Sequence, residues 1–346
     1  MSKHLFPYEW YLRDGYPAKG IKPHNCTVFG TFVCGGGSSM GYKLAGFRHL
    51  GGVELDPRVA EIYRLNHNPQ YLYNMDIREF NQLQDLPAEL YSLDLLDGSP
   101  PCSTFSTAGS REKAWGKEKK FAEGQKKQTL DDLVFVYCDT ILKLKPKCFV
   151  LENVSGLVKG NAKSYTKRIV EYLTKNGYCV QVFLLNAASM GVPQKRERVF
   201  FVGHLSEFKL QKLVLDFHED PILYSMIEDD DCSNPVAPCD EAVFDLVPAG
   251  KNFSYVKENW RFNSIKLHPD LVPNTIAASN GSCIYHYKKH KKISDRELRL
   301  IGTFPLDYDF CGKRAQWFVG MSVPPVMMAQ IAYQIYKQWL LKIKKS

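Results

Sequence analysis

The stretch Cys26–Leu55, CTVFGTFVCGGGSSMGYKLAGFRHLGGVEL, holds the unit from which the rest of the fold is read. An apolar run opens it, a glycine-rich turn follows, a helix-like segment rises from the turn, and a second apolar run ends at Glu54. Short apolar runs bounded by glycine read as buried strands. Glycines at the junction let the backbone approach a ligand and let the helix N-terminus point at it. The turn alone does not choose the ligand, because dinucleotide, nucleotide and S-adenosylmethionine folds all use one.

The alternation continues outward. Apolar runs at 49–55, 92–98, 147–154, 178–186 and 198–205 are separated in several places by segments of helical spacing. Asp56-Pro57 is an N-cap and first-turn pair for a helix to about Asn66. Leu130–Leu144 has helical spacing and stops at Lys145-Pro146; Tyr165–Thr174 is amphipathic and ends before Asn176-Gly177. Strands alternating with helices make βαβ units, so the expected class is α/β with a mostly parallel sheet. Such sheets bind ligands beyond the carboxyl ends of their strands. After about residue 205 the rhythm breaks. Pro and Asp become frequent over 219–241, no alternation returns before Ser294, and a strong helix starts near Pro324. The chain therefore divides into a large domain over 1–207, a smaller irregular one over 208–292, and a return to the large domain over 293–346.

At 346 residues and 45% hydrophobic, the chain can bury a sizeable core. No apolar run follows early basic residues and none is long and uncharged, which argues against a secretory leader and a membrane span. Ten cysteines scattered without paired spacing fit reduced thiols and a cytoplasmic location. Cys232 and Cys239 have the wrong spacing for a zinc knuckle, so no metal is expected. The net charge of +8 is a modest pull toward polyanions. Its distribution says more: seven Lys/Arg against three Asp/Glu from Ser103 to Gln128, and KKHKK over Lys288–Lys292. Either run alone reads most simply as a solvated surface.

Two acids and one cysteine carry chemistry. Glu54 closes the second strand run, where a carboxylate can accept from both ribose hydroxyls. Asp76, in YNMDI, can accept from an adenine amino group. Together they suit an adenosine moiety without demanding phosphate, although each would also serve as a helix cap or surface charge. The stretch DGSPPCSTFS at 97–106 sets Cys102 behind two prolines where a buried strand runs out. Prolines fix φ and hold the preceding residue extended, so this entry is stiff. Cys102 is then either an incidental buried thiol or a nucleophile held at the mouth of a site.

The order of motifs resembles that of the cytosine-5 DNA methyltransferases of bacteria and phages, from Phe32 to about Ala329. The matching segments are FVCGGGSSMGYKLAGF, VELDP, MDI, SPPCSTFSTAG, ENVSGL, NAASMGVPQKRERVFFVG, PNTI, SDRELRLIGTFP and GMSVPP, in the family's order. The resemblance implies a Rossmann-like sheet with helices on both faces, of the class I S-adenosylmethionine methyltransferases, and a target recognition domain over 208–292. It implies S-adenosylmethionine held by Phe32, Val33, Gly35, Gly36 and Gly37, with Glu54 and Leu55 at its ribose and Asp76 and Ile77 at its adenine. Pro101, Leu133, Met321 and Val323 would line the same pocket. It makes Cys102 the nucleophile, Glu152 of ENV the acid at the target base, and Arg196 and Arg198 of QKRER its polar clamp. Ser103, Ser106, Arg111, Lys113, Lys117, Lys119, Lys120, Gln194 and Thr275 would contact double-stranded DNA. A cognate restriction endonuclease is a candidate partner, and a monomer is the expected state. Three positions depart from the family pattern. Cys34 replaces the first glycine of Phe-x-Gly-x-Gly-Gly, Ser103 follows the nucleophile where Gln is common, and Met321 stands where Asn is usual.

The chemistry explains the residue types. Cytosine C5 is a poor nucleophile until a thiolate adds at C6 and makes C5 enamine-like. An acid at N3 balances the charge, which requires a carboxyl turned into a donor by burial. Loss of the C5 proton then lets Cys102 depart. The base must leave the duplex stack to be reached, and the basic loop Ser106–Gln128 reads as a lid closing on phosphates. Tyr255, Trp260, Arg261, Asn280 and His286 are candidate base readers. Three rivals share parts of the pattern. A tRNA cytosine-5 methyltransferase keeps the motif order, and a catalytically weak DNA-binding homologue keeps the fold. An NAD-linked oxidoreductase shares the glycine turn and Glu54 but leaves Pro-Pro-Cys, ENV and QKRER unexplained.

Overall fold

The computed structural model describes residues 4–101, 131–159, 162–256, 258, 263–278 and 283–344. The first strand β1 (Thr27–Thr31) feeds α1 (Gly37–Leu44), and the alternation runs on through β2 (Arg48–Glu54), α2 (Pro57–His67), β3 (Tyr71–Asn74), α3 (Ile77–Gln82) and β4 (Leu95–Gly98). Then come α4 (Asp131–Leu144), β5 (Cys148–Val154), α5 (Lys163–Lys175), β6 (Tyr178–Asn186) and β7 (Glu197–Leu205). Asp56 caps α2 as its sequence position suggests, accepting from Arg58 N at 2.9 Å, with Pro57 in the first turn.

These strands form one seven-stranded sheet in the order β3-β2-β1-β4-β5-β7-β6. Every pairing is parallel except those of β7, which runs antiparallel to β5 and β6. Alternate residues point to opposite faces, and helices cover both. Val28, Leu95 and Val150 pack with α1, α2 and the C-terminal helix; Phe29, Leu96 and Leu151 pack with α3, α4 and α5. The reversal from β1-β2-β3 to β1-β4-β5 opens a crevice at the carboxyl ends of β1 and β4, the topological switch point where such sheets take ligands.

The segment expected to leave the large domain at Phe208 does not do so at once. Leu213 N donates to Gln181 Oε1 at 2.7 Å, Trp339 Nε1 donates to Gln211 O at 2.8 Å, and Leu213, Ile222 and Tyr224 join the main core. Leu210, Leu213, Leu215 and Phe217 turn this stretch into a strap along the sheet, which no regular periodicity announced. A separate small core of Val236, Phe244, Val247, Phe253 and Tyr285 begins only afterwards, with the single turn α6 (Pro238–Glu241) and the pair β8 (Ile265–Lys266) and β9 (Ile284–Tyr285). The chain returns through α7 (Asp295–Gly302), whose Ser294 and Glu297 form a capping box, then α8 (Ala315–Met321) and α9 (Pro325–Ile335). The α9 helix packs along α1 as Gly41 allows: a Cβ there would lie 2.5 Å from Pro325 O. Among the described residues no helix is long and apolar enough to cross a membrane, and no group of three metal-ligating side chains occurs.

Candidate active site

The glycine turn is strained at two positions that are not glycine. Phe32 has φ +56° and Cys34 φ +46°, a region L-residues rarely adopt, and such outliers cluster at ligand clamps. Gly36 follows at φ +72° as the N-cap of α1, where a Cβ would fall 2.1 Å from the His67 ring, so only glycine fits. The carboxyl of Glu54 closes the turn from below, accepting from Cys34 N at 2.9 Å and Asp56 N at 3.0 Å. Burial raises its pKa against the opposing pull of these backbone N–H groups. Past the end of β3, Asp76 caps α3 through Arg78 N at 2.8 Å, and Ile77 and Leu133 are buried together with Phe32 packed against them. An apolar wall and a half-buried carboxyl at one set of strand ends fit an adenosyl group. Val323 also belongs here: a Cβ on Gly37 would meet its carbonyl at 2.2 Å. Met321 is half-exposed at the end of α8.

The second cluster lies across β4, β5 and β7. Asn153 Nδ2 donates to Pro100 O at 3.2 Å, tying β5 to the Pro-Pro entry, and Pro101 is half-buried beside it. Cys102, Ser103, Ser106, Arg111, Lys113, Lys117, Lys119 and Lys120 lie outside the described residues, as do Trp260, Arg261 and Asn280. Glu152 is 8% exposed and pairs with Arg198 Nε at 3.0 Å, across the antiparallel β5–β7 pairing. Arg196 is 2% exposed, yet among the described residues its one hydrogen bond runs from Nη2 to Gly320 O at 3.1 Å, and Nε and Nη1 find no partner there. Burial first, and the charge of Arg198 second, pull its pKa well down. A guanidinium does not deprotonate in proteins, so this shift measures how strongly the buried cation requires an acceptor.

The sequence model of the C-5 cytosine-specific DNA methylases matches residues 27–268 and 245–337. The chain belongs to that family. Type II methyltransferase M.Sau96I of Staphylococcus aureus is 30% identical to it over 347 residues, 92% of this chain and 77% of the relative. Type II methyltransferase M1.HphI of Haemophilus parahaemolyticus is 27% identical over 340 residues, 90% and 87% of the two chains. Two solved structures share the fold. A DNA modification methyltransferase of an E. coli prophage has a TM-score of 0.68 at 18% identity, covering 91% of this chain and 99% of its own. DNMT2 of Spodoptera frugiperda has 0.64 at 16%, covering 90% and 100%. The protein is thus a DNA methylase acting at C5 of cytosine, and its family uses S-adenosylmethionine.

Within the methylase, several expected DNA contacts belong to the framework instead. Gln194 is fully buried, its Nε2 donating to Ile301 O at 3.0 Å and its Oε1 accepting from Ile276 N at 3.3 Å, so it braces two segments and faces no duplex. Thr275 is exposed, but its hydroxyl donates to Lys195 O beside it. His286 is 1% exposed and bonded to Glu228 at 2.8 Å, which removes it as a base reader; Tyr255 stays exposed. The KKHKK run is largely neutralised. Lys289 pairs with Asp230, His290 with Glu241 and Asp245, and Lys291 is buried against Asp229 and Glu297. The acidic run before Cys232 and this basic run are two halves of one contact, a pairing that linear sequence cannot display. Asp97, fully buried on β4, was missed altogether; an acid inside the apolar run LDLLDG was the available sign.

Proposed function

We propose that the methylase works through a transient bond between Cys102 and C6 of a cytosine flipped out of double-stranded DNA. The observation that carries this reading is Arg196, a buried guanidinium beside the Glu152–Arg198 pair with two donors that no described residue satisfies. Such a cluster suits a polar ring edge that the chain itself does not supply. Cys102 attacks C6 and Glu152 gives its proton to N3, which leaves C5 electron-rich. Arg196 and Arg198 hold the ring's polar edge. When bound, S-adenosylmethionine would supply the methyl group and leave as its neutral thioether; the backbone of Phe32, Val33, Gly35, Gly36 and Gly37, with Glu54, Leu55, Asp76 and Ile77, would hold it along a wall of Pro101, Leu133, Met321 and Val323. Loss of the C5 proton to solvent then re-forms the C5=C6 bond and expels the Cys102 thiolate, while N3 returns its proton to Glu152.

The recognition unit is read as the small core between about Asp229 and Lys292, together with the basic loop, whose Arg111, Lys113, Lys117, Lys119 and Lys120 would lie on phosphates beside Ser103 and Ser106. The type II relatives make a cognate endonuclease the candidate partner. The deciding experiment follows tritium from labelled S-adenosylmethionine into duplex DNA or tRNA. Wild type should label duplex DNA, and Cys102→Ala should abolish labelling while binding S-adenosylmethionine nearly as well. Full transfer by that variant refutes the nucleophile, and labelling of tRNA alone refutes the substrate.

A further inference from the structure

Asp97 is a buried acid that no step above uses. It is 4% exposed, in the middle of β4, and its Oδ1 accepts from the Tyr42 hydroxyl at 3.0 Å; the Ser38 side chain also hydrogen-bonds to the carboxyl. Ser38 and Tyr42 stand four residues apart on α1, so one face of the glycine helix is turned toward this group. Asp97 pairs with Val150 of β5, and two residues on, Glu152 leaves the same face. The carboxyl therefore lies between the helix that rises from the glycine turn and the strand that carries the catalytic acid.

Burying a carboxylate costs free energy unless a cation or several donors compensate. Among the described residues no lysine or arginine pairs with Asp97. The ionisable groups that face it are Tyr42, Tyr63, Tyr137 and Glu152; burial keeps the tyrosines neutral, and none of the four can supply a cation. The described residues supply no cation here, and the ligand expected at these strand ends carries one on its sulfur.

We infer that Asp97 is the counter-charge of the methyl donor, a carboxylate held by Tyr42 and Ser38 that favours the sulfonium cofactor over its neutral thioether product. The inference rests on the cofactor site proposed above. Burial is the first cause that pushes the Asp97 pKa up to about 7, with the Tyr42 hydrogen bond opposing and Glu152 adding to the rise. Near neutrality the group is therefore half-ionised. An arriving cation stabilises the ionised form, so binding releases a proton, and affinity for S-adenosylmethionine rises as pH climbs through 7. S-adenosylhomocysteine lacks the sulfonium charge and is far less sensitive.

Calorimetry on the full chain tests this, with both ligands titrated from pH 6 to 8.5 in two buffers of different ionisation enthalpy. Affinity for S-adenosylmethionine should rise about tenfold, the size of a one-unit linkage, with a fraction of a proton released at pH 7. The product's profile should be nearly flat. Asp97→Asn should flatten the donor's profile to that of the product while still binding the product, which shows that the site is folded. Tyr42→Phe removes a hydrogen bond to the ionised form, so its midpoint should move to higher pH. Parallel wild-type profiles for the two ligands, or an unchanged profile in Asp97→Asn, overturn the counter-charge and leave the cofactor site standing. Failure of wild type to bind either ligand overturns both.

Discussion

Two buried clusters of positive charge, one in the sheet and one at the base of the recognition unit, are built from similar parts. Lys291 is fully buried, and its ammonium donates to Asp229 O at 2.9 Å, Asp229 Oδ1 at 3.1 Å and Asp231 O at 2.8 Å. Its counter-ion Glu297, equally buried, accepts from Ser294 N at 2.6 Å and the Tyr224 hydroxyl at 2.7 Å. An ammonium has three donors, and the chain satisfies them all. Arg196 is almost as deeply buried, yet two of its nitrogens have no acceptor among the described residues. A cation the chain saturates holds the chain together. A cation the chain leaves short of acceptors is kept for something else, and this difference separates latch from site more sharply than charge or burial does.

The comparison is broken most severely at Glu152. Glu152→Gln keeps the shape and a hydrogen-bond partner for Arg198 but has no acidic proton to give. Single-turnover transfer to duplex DNA should fall by roughly 10²–10⁴, the range for loss of a general acid, with cofactor affinity kept. An unimpaired rate would place the acid elsewhere and reduce the Glu152–Arg198 pair to a structural one.

At the other cluster the loss should appear in stability and not in chemistry. Lys291→Met strands Asp229 and Glu297 without their cation, and breaking a buried pair from one side costs about 3–5 kcal/mol. Urea unfolding should register that loss, and Lys291→Met/Glu297→Gln should recover part of it. The salt dependence of DNA binding should be unchanged, because a buried lysine neutralises no phosphate; neutralising Lys117, Lys119 and Lys120 together should flatten it. A flatter slope in Lys291→Met would return the KKHKK run to the DNA surface.

Much of the sheet was legible because its determinants are local. The runs around β1, β2, β4, β5, β6 and β7 and the Asp56-Pro57 cap each state their own structure within a few residues. The resemblance of the motif order groups Phe32, Ile77 and Leu133, and the structure packs these three together. What escaped depends on pairs distant in sequence. Asp229 and Lys291 are 62 residues apart and Gln194 and Ile301 are 107 apart, so neither burial nor satisfaction could be read from the residues themselves. The strap along β6 and the turn after α9 hid for the same reason: its leucines find their partners only after the sheet exists.

The smallest expected effect sharpens the comparison inside the glycine turn. Cys34 occupies a left-handed backbone position that glycine would hold without strain, worth roughly 1 kcal/mol. Against this, Cys34→Gly loses the burial of a small side chain packed on the main core and frees the unfolded chain, each worth up to about 1 kcal/mol. The terms nearly cancel, so the melting temperature should move by no more than about 2–4 °C. Cys34→Val carries the strain with a stiffer, branched side chain and should melt lower than either. A large gain in Cys34→Gly would mean that strain outweighs packing at this turn. A large loss would mean that the thiol, which burial and Glu54 push well up in pKa and so keep neutral, is a packing element beneath the cofactor that glycine cannot replace.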